Sequence, residues 1–183
     1  KQVIWVEDRL EHLTAASSAT GRLTKLRASI NEKGLIEALD YDQIDDVGAY
    51  PRAPEPASLY RMHGNLSGAY KVKNIRCRNR VVLTNKTPSG LNRGFGGPQH
   101  YFALERLVHQ IAVEFNLNVL DVIKVNLLEK KQFPYKSPSG ALLDSGDFQK
   151  LVRKVVKSST YKNILKKKNN ANKNGKIYGI GYS

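Results

Sequence analysis

The sequence predicts an α+β fold, with an antiparallel hairpin and further strands in the first half and amphipathic helices in the second. Three observations lead there. Residues 22–46 alternate apolar and polar positions around a turn, residues 99–116 repeat apolar side chains at three- and four-residue steps, and strand patterns cluster early while helix patterns cluster late.

Taken in order, residues 3–6 (Val3, Ile4, Trp5, Val6) read as a short strand, and Glu7, Asp8 and Arg9 begin a polar stretch running to Ser17 and Ser18. Residues 22–30 set Leu23, Lys25, Arg27 and Ser29 against Thr24, Leu26, Ala28 and Ile30, the period-2 pattern of a half-buried strand. Asn31-Glu32-Lys33-Gly34 is turn chemistry and residues 35–41 resume as a partner strand, so 22–46 form a long hairpin. Pro51, Pro54 and Pro56 break regular structure, because proline has no amide proton to give to a ladder or helix. Residues 70–72 and 74–84 are further strand candidates, and 84–97 form a loop rich in Asn, Pro and Gly. Pro98 stands where a helix tolerates it best, and Leu104, Leu107, Val108, Ile111, Ala112 and Phe115 follow as the apolar stripe of a helix. Asn118 caps a second helix over 119–128, and Asp144 or Ser145 a third over 148–156. Residues 166–175 are polar, and 176–182, with Ile177, Tyr178 and Ile180, read as a last strand. The hairpin and that strand lack obvious sheet neighbours, which points to a part of something larger.

Composition narrows the function. With 183 residues, 40% of them hydrophobic and 25% charged, the chain has enough apolar material for one globular domain. No window approaches the ~18 apolar residues of a membrane span, and no apolar leader follows Lys1. The single cysteine, Cys77, excludes an internal disulfide and any multi-cysteine zinc or iron-sulfur site, which suits a cytoplasmic location. The net charge of +14 is uneven: residues 150–176, bounded by Lys150 and Lys176, hold ten Lys or Arg and no acid. Such a run could follow a phosphate backbone as a nucleic-acid-binding module, the alternative function; a solvated face takes precedence over it. His12, His63, His100 and His109 show no metal-ligand spacing and read as packed or solvated, and no GxSxG elbow, P-loop or GxGxxG fingerprint is present.

What remains is Asn92-Arg93-Gly94-Phe95-Gly96-Gly97-Pro98-Gln99, a Gly-rich loop running into the start of the clearest helix. Glycines let the backbone approach a ligand closely, a helix start favours an anion or oxo group, and an arginine adds fixed charge. By composition alone, Gly-Gly-Pro before a helix is also ordinary punctuation.

Residues 80–99, RVVLTNKTPSGLNRGFGGPQ, and the YFALERLVHQIAVEFNLNVLDVIKVNLL that follows resemble the molybdopterin-binding large subunit of the xanthine dehydrogenase and aldehyde oxidoreductase family. So do IWVEDRLEHLTAAS, YKVKNIRC, PSGALLDSGDFQKLV and NGKIYGIGYS, in order along nearly the whole chain. The resemblance implies a molybdenum pyranopterin cofactor, hydroxylation of a small aldehyde or heteroaromatic substrate with oxygen from water, and electron transfer through iron-sulfur and FAD partner subunits. It implies that Arg93, Gly94, Phe95, Gly96 and Gly97 contact the cofactor. Phe95 packs on a planar substrate by the same resemblance, and Arg61 steadies a substrate oxygen. It also implies departures. Copper-dependent carbon-monoxide oxidisers of the family carry a cysteine where this chain has Gly94, which favours aldehydes or N-heterocycles as substrates. Family subunits are several times longer, and the glutamate that serves as their general base has no counterpart here. Residues 1–183 therefore read as an internal portion of a larger molybdenum-cofactor-binding domain, with no catalytic residue of its own and no activity alone, whose first partners are the remaining segments of the subunit.

Overall fold

The structure is a computed structural model describing residues 1–19, 21–53, 61–94 and 96–183. Residues 3–6 form no strand: Val3, Trp5 and Val6 are exposed, and among the described residues nothing pairs with them. A strand exists through its ladder, so apolar alternation without a partner leaves an open segment. The polar stretch behind it holds helix α1 (Arg9–Ala15). Asp8 accepts a hydrogen bond from the Glu11 amide at 2.8 Å while Glu11 accepts from the Asp8 amide at 3.0 Å, a capping box that a polar reading passes over.

Strands β1 (Gly21–Ile30) and β2 (Ile36–Asp46) form the expected hairpin, with Gly21 opposite Asp46 and Ser29 opposite Ala38. Asn31 closes the turn, its side chain accepting from the Lys33 and Leu35 amides, both at 3.0 Å. Strand β3 (Asn74–Val82) runs parallel to β2 on its other side, giving the order β1-β2-β3. The hairpin thus has a neighbour that alternation alone does not pair with it. Residues 70–72 contribute only an isolated bridge, Tyr70 to Leu127.

Helix α2 (Gly97–Glu114) lies over the inner face of this sheet, and α3 (Val119–Asn126), capped by Asn118, packs beside it. Leu39 and Tyr41 from β2 meet Leu104, Val108 and Ile111 from α2 and Val122 from α3 in the core. Leu107 is partly buried, whereas Phe115, expected on the stripe, ends the helix exposed. Asn126 ties the helices to the hairpin: its Oδ1 accepts from the Ile36 amide at 2.7 Å and its Nδ2 donates to the Gly34 carbonyl at 2.8 Å.

Two short strands, β4 (Tyr135–Lys136) and β5 (Leu142–Leu143), precede α4 (Phe148–Lys157) and α5 (Ser159–Lys173). The cap of α4 is Asp147, which accepts from the Lys150 amide at 2.9 Å, rather than Asp144 or Ser145. Residues 166–173 are helical, because lysine and asparagine stay solvated on a helix anchored by Tyr161 and Ile164. Residues 176–182 form no strand. Tyr182 instead stacks on His109 and hydrogen-bonds Tyr161.

Candidate functional site

The inner face of the sheet changes character along its length. Tyr41, Gln43 and Asp45 are successive inward positions of β2, all fully buried. Tyr41 belongs to the apolar core and donates its hydroxyl to the Leu66 carbonyl at 2.8 Å. Two residues on, Gln43 lies between Thr24 and Asn79, and two further Asp45 faces Arg22. Arg22 grips Asp45 with Nε at 2.6 Å and Nη2 at 3.0 Å, with side chains 2% and 0% exposed, and Asn79 donates to the same carboxylate at 2.8 Å. An ion pair this deep is held by geometry and added hydrogen bonds, because desolvating both charges costs much of what their attraction gains.

The Gly-rich loop enters α2 beside this polar end, where Arg22, Pro98 and Gln99 line one groove. Its root is sewn to the end of β2: the Val47 amide donates to the Val82 carbonyl at 3.1 Å and the Ser89 amide to the Val47 carbonyl at 3.0 Å. Gly94 and Gly96 have φ of +96° and +83°, conformations that L side chains rarely adopt. A Cβ on Gly94 would come within 2.6 Å of the Pro98 ring. Gly97 begins the helix, its amide donating to the Gly94 carbonyl at 2.9 Å, and no side chain caps the helix start. Arg93 is exposed at the crest of the loop. Arg61 begins the 3-10 turn Arg61–Asn65, and that turn abuts the loop, since Met62 Sδ lies 3.5 Å from where a Gly97 Cβ would stand. Phe95 lies outside the described residues. The space bounded by Arg93, Gly96 and Gln99 is only about 110 Å³, well under the ~300 Å³ of a typical small ligand site.

Histidine and thiol chemistry near the loop is set by burial. His100, in the first turn of α2, is pushed down to about 4 by burial, then by the charge of Arg22 and by His63, with the nearby backbone of Asn65 and Leu66 pulling the other way. His63 is lowered by burial and then by Arg22, and the half-buried Cys77 thiol is raised by burial. At neutral pH all three are uncharged. Among the described residues no group of three His, Cys, Asp or Glu side chains converges as a metal site. The buried network of Arg22, Asp45 and Asn79, with Gln43 and His100 buried nearby, is what sequence reasoning missed. Its signal was the polar residues at inward, period-2 positions of β2.

Residues 150–176 lie mostly on α4 and α5 with their cationic side chains largely exposed, as the solvated-face reading has it. Among the described residues no helix is long and apolar enough to cross a membrane.

A sheet covered by two helices carries a glycine-rich loop that opens at a helix start without a side-chain cap. Comparison with known proteins makes this specific. The sequence profile of the molybdopterin cofactor-binding domain matches residues 1–127, and the chain belongs to that family. It is 28% identical over 167 residues to the carbon monoxide dehydrogenase large chain of Hydrogenophaga pseudoflava, covering 88% of this chain and 20% of that protein. It is 27% identical over 184 residues to the nicotine 6-hydroxylase large subunit of Paenarthrobacter nicotinovorans, covering 99% of this chain and 22% of that subunit. Quinoline 2-oxidoreductase from Pseudomonas putida 86 superimposes with a TM-score of 0.83 at 25% identity, over 93% of this chain and 22% of that one. The chain thus spans about a fifth of the length of these relatives.

The residues present fit an anionic, oxo-bearing molybdenum pyranopterin. Arg93 offers an exposed cation, Gly94 exposes backbone without a side chain, and the start of α2 has no side-chain cap.

Proposed function

We propose that this chain is an internal portion of the large subunit of a molybdenum hydroxylase that oxidises an aldehyde or an N-heterocycle with oxygen derived from water. The observation that carries the proposal is the loop: two positive-φ glycines beside an exposed arginine at an uncapped helix start, in a chain whose family binds molybdopterin. When bound, the cofactor supplies the two-electron oxidation of the substrate C–H bond. The role of this chain is to hold and orient it. Arg93 would offset its negative charge and the backbone of residues 94–97 would contact it, while the backbone bonds of Val47 to Val82 and Ser89 keep the loop root fixed. Phe95 and Arg61 face the substrate in this reading. The rest of the site, the general base included, comes from further segments of the subunit, and electrons leave through iron-sulfur and FAD subunits.

Gly94 supports the aldehyde or N-heterocycle reading. A cysteine there would need φ near +96° and would press its Cβ into Pro98, which argues against a copper-binding thiolate in this loop. The test is co-expression of the chain with complementary large-subunit segments and the iron-sulfur and FAD subunits, followed by molybdenum analysis and aldehyde- or heterocycle-dependent dye reduction. Metal incorporation and turnover in the complex but not in the 183-residue chain alone is the expected result. Near-stoichiometric molybdenum with turnover in the chain alone, or copper-dependent carbon-monoxide oxidation in the complex, overturns the reading.

A further inference from the structure

A second concave space runs between α3, the helix pair α4 and α5, and residues 180–183. Its volume is about 560 Å³, within the range of small-molecule sites. The walls are largely apolar: Leu120 and Ile123 come from α3, Phe148, Val152 and Val155 from α4, and Ile164 from α5. Positions 148, 152 and 155 recur at four- and three-residue steps, so one face of α4 is turned along the space. Set into these walls is an acid, Glu105 of α2, which also lines the space.

Both carboxylate oxygens of Glu105 lie 3.0 Å from the Tyr70 hydroxyl, so a single proton serves two acceptors that together can take about four hydrogen bonds. Among the described residues no lysine or arginine pairs with this carboxylate. Burial raises its pKa, while the Tyr70 hydrogen bond and the charge of His109 pull the other way. The hydroxyls of Tyr161 and Tyr182, on the same lining, are closed on each other at 3.0 Å. These features select the ligand. An anion would be repelled by Glu105, and a neutral apolar molecule would strip water from its carboxylate and put nothing in its place. An ammonium supplies both counter-charge and N–H donors, and an apolar body behind it displaces water from the walls.

We propose that this space is a binding site for an organic amine, whose ammonium group donates to the Glu105 carboxylate while its apolar body lies against Ile123, Phe148 and Val152. The site uses none of the loop residues and stands independently of the molybdenum reading.

Three probes of one shape separate the possibilities: phenethylamine carries the cation, phenethyl alcohol is neutral and hydrocinnamate is an anion. Equilibrium dialysis of the 183-residue chain at neutral pH should show saturable phenethylamine binding, with the alcohol and the anion at least about tenfold weaker. Glu105→Gln keeps an acceptor for Tyr70 and removes the charge, so it should bring the amine down to the level of the alcohol. Val155→Trp, at a half-exposed position of the wall, should weaken amine and alcohol alike by filling the space, and it reads the location even where Glu105→Gln folds poorly. Equal retention of amine and alcohol, amine binding unchanged in either variant, or no amine retained at millimolar concentration overturns the proposal. A chain that elutes as a dimer and retains no amine belongs with these outcomes, because a second copy then closes the groove.

Discussion

Mild acid should destabilise this fold, and His100 should set most of the loss. Its imidazole is fully buried, 5.6 Å between ring centroids from Tyr41 and 5.1 Å from Tyr101, and neither ring nitrogen has a well-formed hydrogen bond. Burial, then the positive charge of Arg22, brings its pKa from 6.5 down to about 4 in the fold. The unfolded chain takes up a proton below the ordinary value while the folded chain resists it. Stability is therefore full above about pH 6.5, falls as the pH drops, and stops falling near pH 4, where both states are protonated. At 1.36 kcal/mol per unit, the window is worth roughly 3 kcal/mol. The carboxylates held low by their partners, Asp40 by Arg76 and Arg27 and Glu129 by Lys131 and Lys71, lose their contribution only at lower pH, as they protonate below their ordinary values. Urea unfolding between about pH 7 and about pH 4.5, for the wild type and for His100→Leu, isolates the histidine. The variant should keep most of its stability across the window, retaining the slope from His63 and the opposite one from Glu105, whose carboxyl burial raises. Equal slopes in the two proteins would refute the assignment.

Other perturbations test other parts of the argument. Arg22→Ala strands a fully buried Asp45 and should cost about 3–5 kcal/mol in urea unfolding, while Arg22→Met with Asp45→Leu should recover most of it. Leu104→Ala, at a fully buried position where α2 meets the sheet, should cost about 2–5 kcal/mol. Gly94→Cys should lower thermal stability through its positive φ and the Pro98 contact, without conferring carbon-monoxide oxidation on the assembled complex. Phe95→Ala should impair turnover in that complex with a smaller stability loss than Leu104→Ala; equal destabilisation with unchanged turnover would make Phe95 structural.

The hairpin, the main helix and the loop were legible because each is dictated locally. Alternation fixes which side of 22–30 faces inward, Asn31 closes its turn through its own side chain, and Pro98 marks the helix start. The parallel pairing of β3 with β2 was not legible, because residues 47–73 intervene and no turn chemistry specifies such a register. Residues 3–6 and 176–182 failed in the opposite direction: their alternation is that of strands, yet the described residues supply no partner for either. For the site, glycine and arginine announced the loop, but its floor is assembled from β1, β2, β3 and α2, whose polar residues are each unremarkable in sequence. The fold shows that Gln43 and Asp45, in period-2 step with Tyr41, are buried on the inward face, turning a strand that is apolar at one end polar at the other. In the proposed reading that polarity gradient serves the loop, because an apolar floor could not hold Arg22 and Asp45 near the loop root. A floor exposed to water would let them relax, and the loop would lose the fixed position on which a preorganised cofactor contact depends.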